Sequence, residues 1–258
     1  SMNFYSKSRR SGRLENEGSD SGQRLKSKKS DKRLNFIFNS GDSLQEYDWL
    51  VSLVNSLLDF GNGKGVKIID FSEVPSDILP LITGLIGRLI FSIQQWMDDE
   101  LRHPVALFCD EAHLYILANI KGGMEEKGLA SFERIAKEGR KYGLSLVVIS
   151  QRPSDVNKTI LSQCGNFIAM RLTNPDDQNV IKRLFPDNLG DFSEMLPILD
   201  VGEGLIVGDA ALLPSRIRID EPSIRPNSAT VDFWDEWGKE KKDKGIEQAV
   251  EALRRQQK

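Results

Sequence analysis

From residue 34 onward, short continuous apolar runs alternate with longer stretches in which apolar side chains recur every three or four positions. The runs LNFIF (34–38), VKIIDFS (66–72), VALFC (105–109), LSLVVIS (144–150) and NFIAMRL (166–172) are rich in Val, Ile, Leu and Phe. Apolar residues on both faces of such short runs predict strands covered on each side. Between them, 44–60, 77–101 and 129–141 have helical spacing, and a short helix is expected near 158–163. This alternation predicts an α/β fold: a mostly parallel sheet with helices on both faces, its central strands including 66–72, 105–109, 144–150 and 166–172. GEGLIVGDAALLPSRIRI (202–219) reads as a hairpin-like pair of strands, and 231–258 as a charged amphipathic helix.

Composition divides this pattern into three parts. Residues 1–33 hold ten Lys/Arg and four Asp/Glu, a local +6 that leaves −9 of the net −3 on the rest. With almost no aliphatic content, this stretch is expected to be a disordered basic linker or insertion, with a nucleic-acid-binding arm as the alternative. Residues 34–228 are expected to form the folded core, and 229–258 the closing helix. The most apolar segment, 78–93, carries Arg88 near its centre and is expected to be a helix of a soluble core rather than a membrane span. Cys109 and Cys164 both lie in apolar surroundings, which suggests buried free thiols in a reducing cytoplasm. The overall charge neither requires nor excludes a nucleic acid, because basic groups can be confined to a channel.

The candidate chemistry begins at VALFCDEAHLYI (105–116), where an apolar strand runs straight into two acids. A buried strand ending in carboxylates places them at the carboxyl edge of the sheet, where α/β proteins bind ligands. There Asp110 could hold the hydration shell of a magnesium ion, and Glu111 could orient or deprotonate water. Acids that merely favour a helix N-terminus are the plainer explanation of the pair. His113 is expected to be structural, bonded to a neighbouring loop. The strand 144–150 ends in Ser-Gln-Arg-Pro, so Gln151 reaches the same edge if the two strands are neighbours, and a neutral amide there can test for a γ-phosphate. Arg140 precedes that strand and lies at the opposite end, a placement that suits donation to a neighbouring subunit. A phosphate loop G-x-x-x-x-G-K-[ST] is not found. GNGKG (61–65) has the composition but precedes a strand, so it is expected to be a turn. The loop 121–128, with Lys121 and Lys127, is expected to be solvated rather than to face DNA.

DEAHLYI (110–116) and EGRKYGLSLVVISQRPSDVNKTILSQCGNFIAMRLTNPDD (138–177) together resemble the carboxyl-terminal half of the HerA/FtsK-type motor ATPases, and specifically HerA. IIDFS (68–72) and GEGLIVGDAALLPSRIRID (202–220) extend the resemblance over roughly 34–222. The resemblance implies a RecA-like core, a homohexameric ring, and ATP-driven, Mg2+-dependent translocation on double-stranded DNA. It also implies a bacterial or archaeal source, with a nuclease or an anti-phage effector as partner. Asp110 and Glu111 would be the Walker B pair, with Asp110 meeting Mg2+ through water. Gln151 would contact ATP as the γ-phosphate sensor, and Arg140 would be the arginine finger acting in trans. The family's amino-terminal barrel and Walker A loop have no counterpart, so the chain is expected to be a piece of a longer protein and inactive alone. The closing helix would brace a subunit boundary. DEAH-type helicases are a poorer match, lacking here the Ser-Ala-Thr strand end and the arginine-rich motif. The remaining alternative is a non-catalytic assembly module on an inherited fold.

Overall fold

The computed structural model describes residues 29–30, 47–58, 65–120, 122–185, 190–224, 233–239 and 245–255. Most of the expected arm, the run LNFIF (34–38), most of GNGKG and Lys121 lie outside these residues. The chain divides into two units, 1–74 with 232–258 and 75–231.

The larger unit is mixed α/β. Its elements are α2 (Leu79–Trp96), β1 (Val105–Cys109), α3 (Met124–Glu138), β2 (Leu144–Val148), α4 (Lys158–Leu161), β3 (Asn166–Met170), α5 (Pro175–Leu184), α6 (Gly190–Ser193), β4 (Glu203–Gly208) and β5 (Ser215–Arg218). In the smaller unit α1 spans Tyr47–Leu58, α7 Phe233–Trp237 and α8 Ile246–Arg255. Thus the stretch read as one closing helix holds two, with Gly238 directly after the first and Gly245 directly before the second, residues that weaken a helix by about 1 kcal/mol each. Among the described residues, no helix is long and apolar enough to cross a membrane.

β1 and β2 pair in parallel, Val105 opposite Leu144 and Cys109 opposite Val148. The expected four-stranded parallel centre is narrower than the sequence pattern suggested. β3 pairs antiparallel with β4, and β4 with β5, in a separate three-stranded sheet. Residues 65–70 form no strand. A strand needs a ladder partner as well as an apolar pattern, and among the described residues 66–70 have none. The hairpin expected at 202–219 is present as β4 and β5.

Two clusters of buried side chains hold the larger unit. One joins the end of β1 to α3 and α4 through Cys109, Ile116, Phe132, Val156 and Ile160. The other joins β3 and β4 to α5 through Ala169, Ile181, Phe185, Leu196 and Leu205. Helix α2 turns Pro80, Thr83, Gly84, Gly87, Phe91 and Gln94 inward, the three-to-four spacing read in its sequence. It meets α3 at a glycine crossing. A Cβ on Gly84 would stand 2.2 Å from the Gly128 Cα, and one on Gly128 would stand 2.3 Å from the Pro80 carbonyl oxygen. Backbone cannot yield as a side chain can, so the helix axes would have to separate. Gly84→Ala is therefore expected to destabilise the protein by about 1–3 kcal/mol despite the better helix propensity of Ala. Gly87 is the control, since its Cβ would meet only side chains, Ile135 at 3.4 Å and the Phe132 ring at 3.6 Å. Gly87→Ala should be neutral or stabilising in urea unfolding; equal stability of Gly84→Ala and the native protein would exclude a tight crossing.

Candidate active site

The ladder between β1 and β2 continues past the ends of both strands. The Ile149 N–H donates to the Cys109 carbonyl, and the Ala112 N–H donates to the Ile149 carbonyl, both at 2.9 Å. This lacing sets Asp110 and Glu111 beside Ser150 and Gln151, at the carboxyl edge of the parallel pair. It replaces the conditional neighbourhood inferred from sequence with a defined register.

Glu111 takes a left-handed backbone conformation, φ 46° and ψ 43°, and is the one non-glycine residue with positive φ among the described residues. Such a conformation costs about 1–3 kcal/mol and persists only where surrounding contacts impose it. Here Asp110 Oδ1 accepts the Glu111 N–H at 3.0 Å, and the Tyr115 hydroxyl donates to the Asp110 carbonyl at 2.8 Å. Gln151 Nε2 donates to Glu111 Oε1 at 2.9 Å. The second carboxylate oxygen, Oε2, is shielded from solvent and receives no hydrogen bond. His113, in the short 3-10 turn Ala112–Leu114, brings Nδ1 to 3.3 Å from that oxygen and to 3.1 Å from Ser150 Oγ. Asp110 and Gln151 are exposed and Glu111 is half-buried, so a ligand at this edge can meet all three.

The loop that carries Gln151 is tethered from beneath. Asp177, buried in the first turn of α5, accepts the Ser154 N–H through Oδ1 at 3.0 Å. Below the site the chemistry is inert. Burial pushes the Cys109 thiol up to about 12, against a smaller opposing effect of the Tyr115 hydroxyl. Burial likewise raises Tyr115 and Cys164. None of these groups is an available nucleophile near neutral pH.

Arg140 lies elsewhere. It is exposed in the 3-10 turn Gly139–Tyr142 that enters β2, and makes no ion pair among the described residues. Gly143, at φ 65°, closes that turn in the left-handed region. With β1 and β2 parallel, Arg140 and Glu111 are at opposite ends of a five-residue pair of strands, a separation of roughly 16 Å or more at about 3.3 Å per residue.

The sequence reasoning proposed Asp110, Glu111, Gln151 and Arg140 as site residues; the structure brings Glu111 and Gln151 into direct contact and leaves Arg140 at the other end of the strand pair. It missed Ser150 and Asp177, and left His113 without a named partner. The Asn-Pro-Asp-Asp run at 174–177 was the available signal for Asp177, since it marks a helix start.

Chemically, this edge offers one carboxylate free to face solvent, a second held by an amide, and no stronger ligand set. Among the described residues there is no group of three or more metal-binding side chains. A magnesium ion fits such a site, because it commonly takes one or two carboxylates and completes its shell with water and phosphate oxygens.

The family described as helicase HerA-like C-terminal matches residues 91–226. The DNA double-strand break repair helicase HerA of Sulfurisphaera tokodaii is 29% identical over 232 residues, covering 88% of this chain and 46% of that protein. The protein of the same name from Sulfolobus acidocaldarius is 28% identical over 190 residues, covering 72% of this chain and 37% of that protein. The chain thus spans less than half the length of these relatives. Among solved structures, VirB4 of Thermoanaerobacter pseudethanolicus is similar at 18% identity with a TM-score of 0.47, covering 74% of this chain and 54% of that one.

Proposed function

Since this chain belongs to the helicase HerA-like C-terminal family, we propose that it is the water-activating half of an ATP-driven DNA translocase. The observation that carries this reading is the 2.9 Å contact of Gln151 with Glu111, beside exposed Asp110, at one sheet edge. In this reading Glu111 orients the attacking water and accepts its proton. The Gln151 amide exchanges its bond to Glu111 for one to the γ-phosphate, coupling nucleotide arrival to release of the base. Asp110 holds a water of the magnesium shell, and the ion, when bound, neutralises charge developing on the phosphates. Arg140 serves the site of a neighbouring subunit in a homohexameric ring that encloses double-stranded DNA. The HerA proteins of Sulfurisphaera tokodaii and Sulfolobus acidocaldarius are named for double-strand break repair, which supports DNA as the track. A nuclease or anti-phage effector would be the working partner.

The sequence holds no G-x-x-x-x-G-K-[ST] loop, so the donors that cradle the β- and γ-phosphates must come from a further segment. The 258-residue chain alone is therefore expected to hydrolyse ATP negligibly and to bind it weakly, since those donors stabilise most of the developing charge. Titration calorimetry with ATP and Mg2+, together with a phosphate-release assay, checks this. Tight binding and fast turnover that Glu111→Gln abolishes would show that the chain carries its own phosphate cradle. The assembly-module alternative predicts no turnover even when the phosphate-loop segment is joined to the chain.

A further inference from the structure

His113 stands outside the roles assigned so far, yet its ring faces the one buried, unbonded atom of the proposed base. Glu111 meets its surroundings at three points. Its backbone N–H is taken by Asp110 Oδ1 at 3.0 Å, and its Oε1 accepts Gln151 Nε2 at 2.9 Å. The third point is Oε2, which is shielded from solvent without a hydrogen bond and lies 3.3 Å from His113 Nδ1. The same nitrogen is 3.1 Å from Ser150 Oγ, which also accepts the Arg152 N–H at 3.0 Å.

The proton on that imidazole can be placed by charge. A bare Nδ1 would turn its lone pair toward an anionic oxygen already deprived of water, which is repulsive. An Nδ1–H instead donates to Ser150 Oγ, whose hydroxyl retains a lone pair to receive it, and sets the positive end of that bond 3.3 Å from Oε2. The doubly protonated imidazolium presents the same N–H, so the arrangement does not depend on the charge of the ring.

We propose that His113 is a positioning residue for Glu111: its Nδ1–H, anchored against Ser150 Oγ, restrains the carboxylate through Oε2 and leaves Oε1 for Gln151 and the attacking water. The role rests on Glu111 being the base. It follows from geometry that Glu111 would otherwise be fixed only through Oε1, the atom that must let Gln151 go when nucleotide arrives. The strained backbone of Glu111 supplies one restraint and His113 the other, so the carboxylate keeps its aim while its sensor contact is exchanged.

Three substitutions separate this role from simple packing. In His113→Asn the side-chain amide nitrogen falls near the position of Nδ1. In His113→Gln it falls nearer Nε2, and in His113→Ala the donor is gone. In the full-length protein, His113→Ala and His113→Gln are expected to lower kcat by about 10- to 100-fold, the cost usual for a group that orients a reacting one. KM for ATP should change little, and His113→Asn should recover most of the loss. Equal kcat for the Asn and Gln variants, or full kcat in His113→Ala, would overturn the proposal.

A second measurement needs no turnover. The chain has two histidines, so nitrogen-15 NMR of the 258-residue protein at pH about 8.5, above the ordinary histidine range, resolves two rings, and His113→Asn identifies one. The expected spectrum shows His113 protonated at Nδ1, with that preference reduced in Glu111→Gln. His113 protonated at Nε2 in the native chain would sink the inference whatever Glu111 does. Conversely, full turnover in Glu111→Gln would remove the base assignment while leaving the tautomer result in place.

Discussion

Arg140→Ala in the assembled full-length protein is expected to bind ATP and keep its oligomeric state, yet to hydrolyse about 10³-fold more slowly, the lower end of what an arginine finger contributes. The reason is where the residue stands. Arg140 is exposed, free of ion pairs among the described residues, and at the end of β2 away from Glu111. A separation of roughly 16 Å exceeds the reach of a guanidinium toward its own site. A guanidinium exposed at the far end of the same sheet fits the proposed head-to-tail ring, in which opposite ends of two neighbouring sheets would meet. Mixing gives the clearest signature. Combined with Glu111→Gln subunits, Arg140→Ala subunits should regain part of the activity, because some interfaces then pair an intact Glu111 with an intact Arg140. Full turnover by Arg140→Ala alone would exclude a role in trans, and no recovery on mixing would contradict it.

The larger unit's strands and helices were legible where apolar runs and periodicity were unambiguous. β1 and β2, helix α2 and the β4–β5 hairpin fall close to their expected positions, whereas α3 starts five residues earlier than expected and takes up 124–128 of the stretch read as a solvated loop. α5 was overlooked, although Asn174 caps it by accepting the Asp176 N–H, Pro175 opens it, and Lys182 and Arg183 close it. Its short length and mixed charge masked a start signal that was present in full. The run 66–72 shows the opposite error, an apolar pattern for which the described residues supply no ladder. The partners of β3 were equally hidden, because an isolated apolar strand does not state which edge its neighbour occupies. At the site, residue chemistry and strand-end position pointed to Asp110, Glu111 and Gln151 as candidates, and the structure sets them at one sheet edge. The contacts of His113 and Ser150 were not legible, since they depend on a register fixed by two backbone hydrogen bonds at Ile149.

Glu111→Gln tests the proposed chemistry with the least structural disturbance. The two side chains have nearly the same shape, and the substituted carbonyl can still accept from Gln151 Nε2, which now bonds Glu111 Oε1 at 2.9 Å. What is lost is the negative charge and the capacity to take a proton. A positioned base contributes about 10²- to 10⁴-fold to such a step, so turnover should fall by that factor while ATP binding persists. Asp110, the proposed contact of the magnesium shell, is untouched, which is why binding and hydrolysis should separate. The decisive measurement is a rapid-quench assay on full-length Glu111→Gln protein with ATP, Mg2+ and double-stranded DNA, following the fate of the bound nucleotide. Nucleotide retained on the protein and recovered almost entirely as ATP is the expected result; ADP formed at the native rate would contradict Glu111 as the base.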